Sequence, residues 1–145
     1  MTIKTSILVF LLEKWEEREL REAALCNFAE LSKQHQKFDE PIFVFSHILV
    51  PHPPYLFGPE GESVSSVRPQ GLESWQDEEG YINNVKFANN KITQVIDELL
   101  ADPENSPVII IQADHGYGFD VDASKLSKEN LEQRMSILSA YYLPG

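Results

Sequence analysis

The run Pro107-Val108-Ile109-Ile110-Ile111-Gln112-Ala113-Asp114-His115-Gly116 decides both the fold class and the candidate chemistry. Its β-branched residues suit a buried strand, and Gly116 marks the turn where that strand ends. Asp114 and His115 stand side by side at this point, a hard and a borderline ligand of the kind that build zinc, manganese and magnesium sites. In open α/β sheets, ligands bind beyond the carboxyl ends of the strands, which is where the pair falls. Asp and Gly are also ordinary turn residues, and a lone Asp-His-Gly is more often a loop than a site. Its surroundings have to decide.

Upstream, residues 42–49 (Ile-Phe-Val-Phe-Ser-His-Ile-Leu) are almost continuously apolar, which predicts a strand buried on both faces of a parallel sheet. A shorter apolar run at 7–12 predicts another buried strand, closed at once by Glu13. Between them, Leu20, Ala24, Phe28 and Leu31 recur at helical spacing opposite a charged face, predicting a helix over 13–37. A second helix is predicted over 81–101 from Val85, Ala88, Ile92, Val95, Ile96 and Leu99, stopped by Asp102-Pro103. Residues 50–80 carry Pro51, Pro53, Pro54, Pro59 and Pro69 among several glycines and predict a long loop. The polar stretch 120–127 predicts another loop. It leads to a short helix over 128–134 with Ser127 as its N-cap, and residues 135–143 predict a last strand. Strand alternating with helix predicts an α/β fold, a mostly parallel sheet with flanking helices.

The chain has 145 residues, so it holds one domain at most, and a net charge of −11 repels phosphate backbones and anionic lipid. Nucleic acid is therefore not an expected partner. No apolar run approaches the ~20 residues a membrane helix needs, and no targeting signal is evident, so the compartment stays open. Cys26 is the single cysteine, which rules out an internal disulfide; beside Leu25 and Phe28 it reads as core filling.

Two further histidines sit at the end of the 42–49 run, in Ser46-His47-Ile48-Leu49-Val50-Pro51-His52-Pro53-Pro54-Tyr55. If 42–49 and 108–111 are neighbouring parallel strands, His52, Asp114 and His115 face one rim. A His-x-Pro element after a strand, a helix introduced by Tyr81 and a strand ending in Asp-His-Gly together resemble the alkaline phosphatase and sulfatase superfamily. The nearest branch is the sulfatase-like hydrolases and the phosphoglycerol and phosphoethanolamine transferases. The resemblance covers roughly residues 41–118 and extends more weakly through 136–142. It implies an incomplete alkaline-phosphatase-like core: a single partial domain over 1–145, with a strand stub and connecting helix in 1–40 and the α/β core in 41–145. It further implies that Asp114 and His115 ligate a divalent metal (Zn, Mn, Mg or Ca), and that His52 contacts oxygens of a sulfate- or phosphate-ester substrate. His47 is a second substrate-binding candidate, equally readable as a buried histidine bonded to backbone. Tyr55 and Tyr117 could line the pocket or simply pack beneath the loop. Family members of this kind are often membrane-anchored with an extracytoplasmic catalytic domain.

The departures are as informative. The family places a nucleophilic Thr, Ser or modified Cys at a helix start well upstream, next to an acidic ligand on the first strand. Thr5 and Ser6 precede the first apolar run instead of following it, Glu13 has no hydroxyl or thiol at the expected place after it, and Cys26 lacks the proline and arginine of the modified cysteine. Two protein ligands are also fewer than the three a catalytic zinc usually has, so metal binding by this chain alone should be weak. The expectation is a fragment or remnant of a metal-dependent ester hydrolase or transferase, inactive alone. The alternative is a non-catalytic flavodoxin-like binding or interaction module, although Gly116-Tyr117-Gly118 opens no phosphate-binding helix. A Ser-His-Asp hydrolase is disfavoured, because Ser46 and His47 would point to opposite faces of a strand and no nucleophile elbow is present.

Overall fold

A single helix runs through the segment that the sequence divides into a strand and a helix: α1 spans Ile7–Leu31. No glycine or proline separates the apolar run from Glu13, and the junction Leu11-Leu12-Glu13-Lys14 consists of strong helix formers. The charged face adds i,i+3 and i,i+4 pairs, Lys14 with Glu17 at 3.3 Å and Arg18 with Glu22 at 2.8 Å. A 3-10 turn, Gln34–Lys37, follows. The computed structural model describes residues 7–64, 77–103, 106–117 and 127–144. The chain divides into two compact units, Met1–Glu98 and Leu99–Gly145.

Helix α2 spans Glu78–Leu99 in the first unit. It starts three residues before the periodicity does, because the Asp77 carboxylate accepts the Gly80 N–H at 2.9 Å and so caps it. Glu78 and Glu79 in the first turn suit the positive end of the helix dipole. Of the predicted stripe Ala88 and Val95 are buried, while Val85, Ile92, Ile96 and Leu99 are half-buried. The most deeply buried apolar residue of α2 is Phe87, outside that stripe, and Phe28 of α1 meets its ring edge-on at 6.0 Å between centroids.

The third wall of this core comes from within the predicted loop. Tyr55, Leu56 and Phe57 are all buried, and Phe57 stacks on Phe87 with centroids 4.0 Å apart. Residues 56–64 double back as a tight hairpin: Val64 N–H donates to Leu56 at 3.3 Å, Gly58 N–H to Glu62 at 2.9 Å, and Gly61 N–H to Gly58 at 2.9 Å. Gly61 has φ +88° and its Cα faces the Phe87 ring, so the turn requires glycine twice over. Arg21 of α1 covers the outer side of Phe57, its guanidinium 4.5 Å from the ring centroid, and donates to the Gly61 carbonyl at 2.6 Å. Asn84, fully buried, donates to the Phe57 carbonyl at 3.0 Å and to the Gly80 carbonyl at 2.9 Å. Ser32 and Glu98 hydrogen-bond where α1 meets α2.

The predicted strand over 42–49 does not form. These residues adopt neither helix nor strand, and Phe43 and Phe45 are 91% and 81% exposed. A strand needs a paired neighbour, and no ladder runs along this segment among the described residues. Cys26 is exposed instead of core, and Leu20 also faces outward, since the hairpin covers only the Arg21 and Phe28 side of α1. Residues 65–76 of the predicted loop, and residues 120–126 of the later one, lie outside the described residues, as do Thr5, Ser6 and Gly118.

In the second unit β1 spans Ile109–Gln112, α3 spans Lys128–Met135 and β2 spans Ser139–Tyr142. Ser127 caps α3 as predicted, its hydroxyl accepting the Asn130 N–H at 3.2 Å. The two strands pair antiparallel, Ile109 opposite Tyr142 and Gln112 opposite Ser139. The fold is α/β, but the mostly parallel sheet is not what the described residues build. Without a strand over 42–49, α2 has no parallel pair to connect, and β2 returns along β1 instead. The doubly wound sheet of a flavodoxin-like module is likewise not formed by these residues.

Candidate functional site

Asp114, His115 and Gly116 leave β1 as a turn pressed against the end of α3. Ala113 N–H still donates to Leu138 at 2.9 Å, so the turn starts from an anchored strand end. The Asp114 carboxylate accepts the His115 backbone N–H at 2.9 Å, which fixes one of its oxygens close to the main chain. Its other oxygen, Oδ2, lies 3.7 Å from His115 Nε2. His115 Nδ1 approaches the Gly116 carbonyl at 3.0 Å; a carbonyl has no proton to give, so Nδ1 is the donor. Nε2 then carries the lone pair of the neutral ring, on the Asp114 side.

Gly116 itself is buried. Its N–H donates to the Arg134 carbonyl at 2.6 Å, and its carbonyl accepts from Arg134 Nη1 at 3.0 Å. A side chain at this position would strike the carbonyls of Gln133 and Ser136, so only glycine allows the close approach. Arg134 is a participant that reading the sequence missed. Its one local signal is that it is the basic residue in the last turn of α3, where a cation suits the helix dipole.

His52 belongs to the first unit. Its backbone N–H closes a turn onto Leu49 at 2.6 Å, and its Nδ1 donates to the Pro53 carbonyl at 2.5 Å, which again leaves Nε2 as the lone-pair nitrogen. The ring is exposed. His47 is exposed too, and so is not the buried, backbone-bonded histidine of the alternative reading. Tyr55 is core: burial pushes its hydroxyl up to about 12, helped by the Asp77 carboxylate and Tyr81, and that hydroxyl has no hydrogen-bond partner. Burial also raises Tyr81, whose ring meets Tyr55 edge-on at 6.3 Å. Tyr117 is half-buried in the second unit.

A divalent cation can be tested against these donors. An oxygen and a nitrogen 3.7 Å apart can both reach one ion at ordinary bond lengths of about 2.1 Å, and Asp114 and His115 are 82% and 39% exposed, open to an incoming ion. The pair therefore fits as two ligands in kind and spacing. No group of three or more His, Cys, Asp or Glu side chains capable of holding a metal occurs among the described residues. Nor is any described helix long and apolar enough to cross a membrane.

The chain matches the sulfatase family over residues 14–137, which takes in α1, the hairpin, α2, β1, the Asp-His-Gly turn and α3. An α/β chain whose apolar strand ends in an exposed carboxylate–imidazole pair suits that class of protein. The chain belongs to the sulfatase family. This family acts on sulfate esters and is generally metal-dependent. No curated protein and no solved structure matches the chain.

Proposed function

We propose that this chain is a partial sulfatase-like domain, over 1–145, of a metal-dependent hydrolase or transferase acting on sulfate or phosphate esters. It would contribute metal ligands and an oxyanion contact but no nucleophile. The observation that supports this most directly is the turn after β1, where Asp114 Oδ2 and His115 Nε2 stand 3.7 Å apart with the histidine tautomer suited to ligation. A divalent ion held there supplies positive charge against the oxygens of the transferred group. The chain's own residues do the rest. Asp114 is pinned by the His115 N–H and His115 Nδ1 is occupied by the Gly116 carbonyl, while His52, exposed in the first unit, would supply a hydrogen bond to an ester oxygen of the substrate. His47, exposed five residues before His52, is the second candidate for a substrate contact of the same kind. Within the complete family domain, residues 42–49 would form a strand of the mostly parallel sheet.

Metal titration tests the reading. Zinc and manganese should each bind the full chain weakly, and Asp114→Ala or His115→Ala should lower that affinity at least tenfold, as loss of a ligand does. Turnover of aryl sulfate or aryl phosphate by the chain alone should stay at the Asp114→Ala background. It should rise when a polypeptide carrying the family's upstream acidic ligand and nucleophile is supplied. Metal affinity that is indifferent to both substitutions would overturn the assignment.

A further inference from the structure

We infer that Arg134 is a positioning residue for His115: through the Gly116 carbonyl it holds the imidazole in the tautomer that leaves Nε2 free to ligate. The inference rests on the metal-ligand reading above, but the hydrogen-bond chain behind it is made of this chain's own atoms.

The chain has three links, all within the second unit. Gly116 N–H caps the Arg134 carbonyl, one of the four at a helix C-terminus that lack an intrahelical partner. In return Arg134 Nη1 donates to the Gly116 carbonyl at 3.0 Å. The same carbonyl oxygen takes His115 Nδ1 at 3.0 Å. A carbonyl oxygen has two lone pairs, and here both are used, by two donors approaching from different elements. The guanidinium offers several donors in a planar fork, one of which is directed at this carbonyl. The two peptide units flanking Gly116 are thereby both tied to Arg134, the His115–Gly116 unit by its N–H to the Arg134 backbone and the Gly116–Tyr117 unit by its carbonyl to the Arg134 side chain. Only glycine allows this approach, because a Cβ at position 116 would strike the carbonyls of Gln133 and Ser136. His115 thus meets an acceptor whose direction is set before the ring arrives. Free histidine in water favours a proton on Nε2; the preset carbonyl reverses that preference and turns Nε2 toward Asp114 Oδ2. Outer partners of metal-ligating histidines act in this way, orienting the ring and selecting the tautomer.

The test is carried out on the full chain, labelled with nitrogen-15, with proton–nitrogen correlation of the His115 ring at a pH where the ring is neutral. The native chain should show the proton on Nδ1. Arg134→Met should shift His115 toward the Nε2–H form and weaken zinc binding about tenfold, with the β1–β2 amide signals unchanged. Arg134→Lys, which keeps a cationic donor, should recover most of the Nδ1–H population and of the zinc affinity; a purely structural role would not be rescued this way. A native His115 protonated on Nε2, or an Arg134→Met chain with the native tautomer, overturns the inference. Should Arg134→Met unfold the second unit, the native spectrum and the Lys variant decide between the same outcomes. Failure of the metal-ligand reading is seen separately: zinc binding indifferent to Asp114→Ala removes that reading, whatever tautomer His115 adopts.

Discussion

Residues 42–49 and 55–64 are close neighbours in the chain, yet they reverse the expectation that apolar sequence is buried and Pro/Gly-rich sequence is not. The first is nearly all aliphatic and aromatic, and it is exposed; the second holds Gly58, Pro59 and Gly61, and it forms the heart of the first unit. The difference lies in what each segment can complete by itself. The hairpin closes its own hydrogen bonds across a turn of three residues, so Tyr55, Leu56 and Phe57 are presented as a finished surface for α2 to cover. Residues 42–49 can satisfy their backbone only by pairing with another strand, and no such partner is found among the described residues. Hydrophobicity supplies the drive to bury a segment; local hydrogen bonding decides whether it can be buried alone.

The comparison breaks most readily at Phe87, which joins Phe28 on one side to Phe57 on the other. Phe87→Ala should cost about 3 to 5 kcal/mol, the usual toll of removing a buried aromatic, and unfold the first unit well before the second in urea. If the loss is under about 1 kcal/mol, the hairpin is not the core it is taken to be. Asn84→Ala comes next. It strips the donor from the Phe57 and Gly80 carbonyls at a buried position, and should cost about 2 to 3 kcal/mol by the same denaturation. Asn84→Asp should be no better, since a buried carboxylate offers those carbonyls nothing to accept.

Much of the structure was legible in the sequence because much of it is local. The Ser127 cap, the stripe from Ala88 to Val95 on α2 and the strand before Asp114 each depend on residues within a few positions of one another. The direction of β2 along β1 is a long-range choice, and nothing in the residues of either strand encodes it. The fusion of the first apolar run into α1 was misread through length: six apolar residues suit a strand or the first turns of a helix equally, and the continuation into Leu12-Glu13-Lys14 settles it. At the candidate site, Asp114 and His115 were visible as neighbours in sequence. Arg134 was not, because its contact with Gly116 spans 18 residues and needs the fold to exist first.

Tyr55 sharpens the comparison at its polar edge. Its hydroxyl is buried without a partner, so Tyr55→Phe should leave the hairpin intact and stabilise the first unit by about 1 kcal/mol at neutral pH. The native protein should also show an alkaline loss that the variant lacks. Below pH 10 both folded and unfolded states keep the phenolic proton, and the contribution to stability is complete. Above it the unfolded chain ionises while the folded one holds its proton up to about 12, so stability falls through that window by at most about 3 kcal/mol and then levels off. A native chain as stable at pH 11.5 as at pH 9.5 would mean that water reaches the hydroxyl.

The smallest effect on stability is expected where the side chains are largest. Phe43 and Phe45 touch little of the fold, so Phe45→Ser should change the unfolding free energy by no more than about 0.5 kcal/mol. Its consequence lies in association. A stretch that is apolar, free of Asp, Glu, Lys and Arg, and outside any strand ladder among the described residues is the kind of segment that templates strand addition between molecules. The chain's net charge of −11 opposes close approach in general, and the lack of Asp and Glu within 42–49 makes that segment one place where the repulsion is weaker. Phe45→Ser, or Val44→Pro to remove a donor, should therefore reduce concentration-dependent scattering while leaving the urea midpoint in place. If either substitution instead lowers that midpoint as Phe87→Ala does, residues 42–49 are part of the core after all, and burial of the two segments is coupled.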